Sequence, residues 1–130
     1  MFQGAPCGIG ILIKILIDNK LYIAGRDNFS KKPLIDIIGD RSNKPVILIQ
    51  HTPDTIKETV KSKIDLQVSG HTHKGQFFPG RLFTKRIFLI DYGHKKISDS
   101  NILVSSGYGT WGPPIRIGSS SEICLIKFYN

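Results

Sequence analysis

The sequence predicts an α/β fold. Apolar runs of strand length alternate with short helix-length segments as far as Ser69, histidines close two of those runs, and beyond Gln76 the segments become short and β-rich. Residues 10–17 and 20–24 read as two strands joined by a turn at Asp18-Asn19, a hairpin signal. Pro33 opens a short helix through about residue 38, because its fixed φ suits a first helical turn. Residues 46–50 form a continuous β-branched and apolar run, expected of a strand buried on both faces. Residues 53–61 read as a helix, with Thr52 as candidate cap and Asp54 in the positive first turn. Residues 66–69 return as a short strand, and this strand, helix, strand order implies parallel neighbours joined by a right-handed crossover. Further on, 77–84 with Pro79-Gly80 reads as a loop, and 86–92, 94–97, 102–105 and 122–128 read as short β segments. Turns at 92–93 and 99–101 separate them, which suggests a second, largely antiparallel sheet stacked on the first.

A length of 130 residues and a 40% hydrophobic share suit a single domain over 1–130, with 1–10 as irregular lead-in. Cys7 and Cys124 stand near opposite ends without metal or redox spacing; both read as free thiols, Cys124 as core packing within an apolar run. The net charge of +8 is scattered over Lys31-Lys32, Lys61, Lys63, Lys85-Arg86 and Lys95-Lys96. Aromatics do not interleave with these cations, which argues against sequence-specific nucleic-acid binding and for general attraction to anionic substrates or lipid headgroups. The apolar stretch 9–17 is interrupted by Lys14 and is too short to span a bilayer, and it lacks the basic start and cleavage site of a signal peptide. The expected location is cytoplasmic or membrane-peripheral.

The most informative segment is Ser69-Gly70-His71-Thr72-His73-Lys74-Gly75-Gln76, with His51 upstream after Ile47-Leu48-Ile49-Gln50. In both places a strand-like run ends and imidazoles follow. Residues two apart on an extended chain point the same way, so His71 and His73 can aim at a common point, and the crossover brings His51 to the same sheet edge. Imidazole is a common ligand of zinc and iron, so a metal site is expected. A His-x-His pair in a polar turn could also be plain surface; the second strand-terminal histidine and the flanking glycines argue for the site.

These residues carry a resemblance. Gly70-His71-Thr72-His73 with Gly75-Gln76, His51-Thr52-Pro53-Asp54, Arg26-Asp27-Asn28 and Gly107-Tyr108-Gly109-Thr110-Trp111-Gly112-Pro113-Pro114-Ile115-Arg116 are similar to the calcineurin-like metallophosphoesterases. The branch is the one that pairs GHTHxGQ with a GxGTWGPPxRxG tail, and the similarity runs from about residue 15 to 128. The resemblance implies the C-terminal portion of a two-sheet β-sandwich flanked by helices. It also implies hydrolysis of phosphate mono- or diesters by two divalent ions such as manganese, iron or zinc. His51 and His71 resemble ligands of one ion, and His73 a ligand of the other.

The family's Asp-x-His, its bridging Gly-Asp and its Gly-Asn-His-Asp/Glu segment have no counterpart here; Gly39-Asp40 follows a helix and lacks that context. The sequence therefore reads as the C-terminal part of a longer, split or truncated enzyme, inactive alone, whose partner is a missing N-terminal half or another copy of the chain. The alternative is a non-catalytic metal-binding or interaction module derived from the family. No catalytic group is expected beyond the metal ligands. Gln76, Lys74, Arg116 and Asp54 are candidates for substrate contact or support of the ligands. Arg116 reads first as a loop brace and Asp54 first as a helix-start residue. Trp111 reads as loop packing, and His94 as an ordinary surface histidine.

Overall fold

The computed structural model describes residues 12–28, 30–40 and 43–129. Strands β1 (Leu12–Ile17), β2 (Leu21–Arg26), β3 (Val46–Gln50), β4 (Leu66–Ser69), β5 (Gly93–Ile97) and β6 (Ser100–Val104) form one sheet in the order β1-β2-β3-β4-β6-β5. Helices α1 (Leu34–Ile38), α2 (Ile56–Lys61) and α3 (Gly80–Ile87) intervene. The α/β class expected from the sequence stands. β2, β3, β4 and β6 run parallel, and an antiparallel strand closes each edge. The β1–β2 turn is made by Asp18 and Asn19 at φ of 46° and 54°, a conformation these short polar side chains tolerate.

Register explains where the core lies. Ala24 pairs with Leu48, Leu48 with Gln67 and Gln67 with Ile102, so all four project from one face, and all are fully buried. α1 packs Leu34 and Ile38 against Ala24, Val46 and Leu48, while Ile56 of α2 joins Ile90, Ile102 and Val104 in a second cluster. Gln67 satisfies its amide within this layer, accepting from Thr59 Oγ1 at 2.5 Å and donating to Ser69 Oγ at 3.0 Å.

α1 has no side-chain cap of its own. Its first N–H, on Leu34, donates instead to Glu58 Oε1 at 2.6 Å, and Arg26 Nη1 meets Glu58 Oε2 at 2.6 Å. One carboxylate thus joins the end of β2, the start of α1 and the body of α2. Burial alone would raise the Glu58 carboxyl, but the Arg26 and Leu34 hydrogen bonds and the Arg26 charge hold it below its ordinary value of 4.5.

Several expectations are corrected. The run 46–50 is buried on one face only, since Val46, Leu48 and Gln50 are buried while Ile49 is 52% exposed. The opposite face, with Ile13, Ile15 and Ile17 of β1, is also open. The later β segments build no second sheet among the described residues: β6 pairs directly with β4, extending the first sheet with β5 at its edge. Residues 122–128 are not a strand, and Leu125 and Phe128 lie exposed beside an apolar hollow on the open face with Ile47, Leu66 and Leu103. Residues 80–87 are the helix α3, not loop and strand, because Gly80 and Thr84 fall one turn apart and pack inward. α2 starts after Thr55, so Thr52 does not cap it. Cys124 is exposed, not core. Cys7 and the lead-in 1–10 lie outside the described residues. Among those described, no helix is long and apolar enough to cross a membrane.

Candidate metal centre

Because β3 and β4 are parallel neighbours, their C-terminal ends deliver His51 and Gly70-His71 to one edge, and Gly70 N–H donates to His51 O at 2.9 Å. The backbone then leaves the strand sharply. His71, His73, Lys74 and Gln76 all take positive φ, at 67°, 47°, 53° and 38°. For non-glycine residues each such turn costs on the order of 1 kcal/mol, so the surroundings must hold the segment in place. Thr72 Oγ1 donates to Asp91 O at 2.6 Å and anchors the turn from below. Gly75, at φ 77°, packs so closely on α3 that a Cβ would overlap the Arg81 backbone nitrogen.

The turn brings two imidazoles together. His71 Nδ1 lies 3.1 Å from His51 Nε2, with the rings edge to face at a centroid distance of 5.0 Å. Two nitrogens sharing a tetrahedral ion at about 2.05 Å each would stand roughly 3.3 Å apart, so this pair fits one ion with little adjustment. Partial burial holds the His71 imidazole below its ordinary value of 6.5, the charges of His51 and His73 add to this, and Asp54 opposes it. The effect favours the neutral, ligating form.

His73 lines the same cleft of about 430 Å³, with Gln76, Phe77 and Trp111. Its Nδ1 sits 3.4 Å from Arg116 Nη2. A guanidinium only donates, so Nδ1 accepts and the ring proton is placed on Nε2. His73 is therefore set apart from the His51–His71 pair. Among the described residues no group of three His, Cys, Asp or Glu side chains is placed to hold an ion.

The supporting candidates have defined places. Gln76 is 4% exposed and clamps the tail loop, its Oε1 accepting from Trp111 N–H at 2.6 Å and its Nε2 donating to Trp111 O at 2.7 Å. Arg116 is the brace expected of it: its Nη2 donates to the carbonyls of Ser106, Gly107 and Gly109, and its Nη1 to that of His73. Lys74 turns its Nζ over the Tyr92 ring at 4.1 Å and is not part of the cleft wall. Asp54 precedes α2 and accepts from Gln50 Nε2 at 2.9 Å. The Trp111 side chain is 74% exposed over the cleft and packs into no core, contrary to expectation. His94 is exposed on β5, paired with Asn101 Oδ1 at 3.1 Å.

Sequence reading missed Glu122. Its Oε1 accepts from Ser106 N–H at 2.8 Å and Ser105 Oγ at 3.0 Å, and its Oε2 from Tyr92 OH at 2.8 Å. Burial would raise this carboxyl, but those bonds, that of the Ser106 N–H foremost, hold it below the ordinary range, while the Tyr92 phenol is pushed up by its bond to Glu122. The signal was a lone acid after Ser119-Ser120-Ser121, which an isolated strand assignment left unused.

The chain is 43% identical over 88 residues to an uncharacterized metallophosphoesterase of Helicobacter pylori strain J99, a match covering 66% of this chain and 24% of that protein. It is 36% identical over 121 residues to an uncharacterized metallophosphoesterase of Aquifex aeolicus, covering 85% of this chain and 46% of that protein. A transmembrane protein with metallophosphoesterase domain from Danio rerio is 35% identical over 91 residues, covering 68% and 21% respectively. The chain thus spans less than half the length of these relatives. No family model and no solved structure matches. Homology to proteins so named, over most of the sheet and both histidine segments, assigns the chain to the calcineurin-like metallophosphoesterase family.

Proposed function

We propose that this chain supplies the C-terminal histidine ligands of a metal-dependent phosphoesterase that hydrolyses phosphate mono- or diesters, and that the bridging carboxylate and the remaining ligands come from outside it. The approach of His71 Nδ1 to His51 Nε2 at 3.1 Å, at the ends of adjacent parallel strands, is the observation that carries this reading. In it, His51 and His71 hold one divalent ion. His73 would serve a second ion together with ligands from outside the chain. Paired ions, when bound, would supply hydroxide near neutral pH and neutralise charge on the phosphoryl oxygens. Gln76 and Arg116 keep the Trp111 loop and the histidine turn in fixed relation, and the scattered positive charge favours approach of an anionic ester.

Titration of the chain with zinc or manganese should find at most one tight site, weakened as pH falls below about 6.5, since only neutral imidazole coordinates. The chain alone should not hydrolyse bis-p-nitrophenyl phosphate. Joined to the N-terminal part of a matching relative, it should do so in a manganese-dependent way. Two tight sites in the isolated chain would refute the division of ligands. A folded, metal-loaded but inactive reconstituted protein would favour the non-catalytic module, a reading supported by the lack, among the described residues, of any group of three His, Cys, Asp or Glu side chains placed to hold an ion.

A further inference from the structure

α3 buries none of its residues, although it is rich in large apolar side chains. Its inner side is occupied by Gly80, close against Gly75, and by Thr84, whose Oγ1 donates to Asp91 Oδ2 at 3.1 Å. At about 100° per residue, Leu82 and Arg86 fall opposite Thr84 and Phe83 to one side of it, while Ile87, about 60° from Thr84, is open because it is the last residue of the helix. Leu82 is 55%, Phe83 60% and Ile87 71% exposed, and the flanking Phe78 and Leu89 are 74% and 58% exposed. One exposed apolar side chain is ordinary, but a contiguous set on one element marks a surface that meets something.

Charge indicates what it meets. From residue 66 to 90 the chain contains Lys74, Arg81, Lys85 and Arg86 and no aspartate or glutamate. Arg81 lies 3.8 Å from Asp91, and Lys74 lies over Tyr92; Lys85 and Arg86, in the last turn, stand among the exposed apolar side chains. Aromatic and aliphatic side chains mixed with cations of one sign match the interfacial region of a bilayer, where the apolar groups enter the acyl boundary and the cations reach lipid phosphates.

We propose that the outer face of α3, with Phe78 and Leu89, docks on an anionic lipid surface. The inner side of the same helix contributes Gly80 and Thr84 to the wall of the histidine cleft, so docking brings that cleft to the headgroup layer. The inference rests on exposure and charge, and stands apart from the proposed hydrolysis.

Flotation with vesicles of phosphatidylglycerol and phosphatidylcholine, compared with phosphatidylcholine alone, tests it. The protein should float with the anionic vesicles, less so as salt rises, and not with the neutral ones. Leu82→Ser with Phe83→Ser and Ile87→Ser, and separately Lys85→Glu with Arg86→Glu, should each lower vesicle affinity at least roughly tenfold. The replaced side chains are exposed, and an unchanged thermal melt would show that the fold survives. Ile15→Ser with Ile49→Ser, on the open sheet face, should leave binding intact. No binding to anionic vesicles, equal binding to neutral ones, indifference to the α3 variants, or loss in the sheet-face variant would each overturn the proposal. So would a change of oligomeric state in the α3 variants without vesicle binding, which would make the face a protein contact.

Discussion

Gln76→Ala removes the clamp between the histidine turn and the Trp111 loop. Its amide makes two short bonds to the backbone of one residue, at 2.6 and 2.7 Å, from a side chain only 4% exposed. The freed Trp111 groups lie on an exposed residue and regain water, so the loss approaches two ordinary net hydrogen bonds, about 2 kcal/mol. For a domain of this size that lowers Tm by roughly 6–10 °C. Gln76→Glu separates the clamp from simple burial. It keeps an acceptor for the Trp111 N–H but turns a second carboxylate oxygen toward the Trp111 carbonyl and buries a charge, so it should cost more than alanine, about 3 kcal/mol. Urea denaturation of both variants is the assay. A glutamate variant as stable as wild type, or milder than alanine, would refute the donor and acceptor assignment on which the clamp rests.

Glu58→Gln should destabilise by about 2 kcal/mol at pH 7, because the Arg26 side chain, 9% exposed, loses its ion partner. The native Glu58 carboxyl is lowered from 4.5, so its contribution is complete above that value and lost as pH falls through the native one; chemical denaturation across pH 7 to 3 should show the two proteins converging at the acid end, and a constant gap would sink the assignment. His51→Ala and His71→Ala should each abolish zinc binding measured by calorimetry, His73→Ala should weaken it less in the isolated chain, and His94→Ala should leave it unchanged; equal losses from all would undo the site. Gly80→Ala places a Cβ against the Gly75 carbonyl and should cost about 2 kcal/mol, whereas Gly25→Ala, with open space around it, should stay within about 0.5 kcal/mol by the same denaturation measurement.

The parallel centre of the sheet was legible because local pattern and tertiary role agree there. Strands 46–50 and 66–69 match β3 and β4 in bounds, and their ends place His51 and His71 together as the crossover rule requires. The edges were less legible. Residues 80–87 carry an amphipathic pattern of helical period but over only two turns and directly after Pro79, and what fixes the helix in place is tertiary: Gly80 fits against Gly75 and Thr84 reaches Asp91, contacts invisible to a local pattern. Likewise Val46 to Ile49 is apolar throughout, and only the register shows that Ile47 and Ile49 project from a face no helix covers.

The site divides along the same line. Imidazoles at strand ends announce themselves by residue type, so the ligand candidates could be named from spacing. What holds them could not, because the supports are long-range contacts to backbone atoms: Arg116 to the carbonyl of His73, Thr72 to that of Asp91, and Gln76 to both polar atoms of the Trp111 peptide. Backbone acceptors carry no sequence signature. The positive φ values of His71, His73, Lys74 and Gln76 make these supports necessary, since relaxation of the turn would move His71 from His51. Separation of the Gln76→Ala and His71→Ala effects follows: the first should act on stability and, through the turn, weaken zinc binding only in part, whereas the second should remove the ion's ligand while leaving the melt nearly unchanged, because His71 is an exposed residue. A Gln76 variant that loses zinc as completely as His71→Ala while staying as stable as wild type would place Gln76 at the ion itself, not behind the loop.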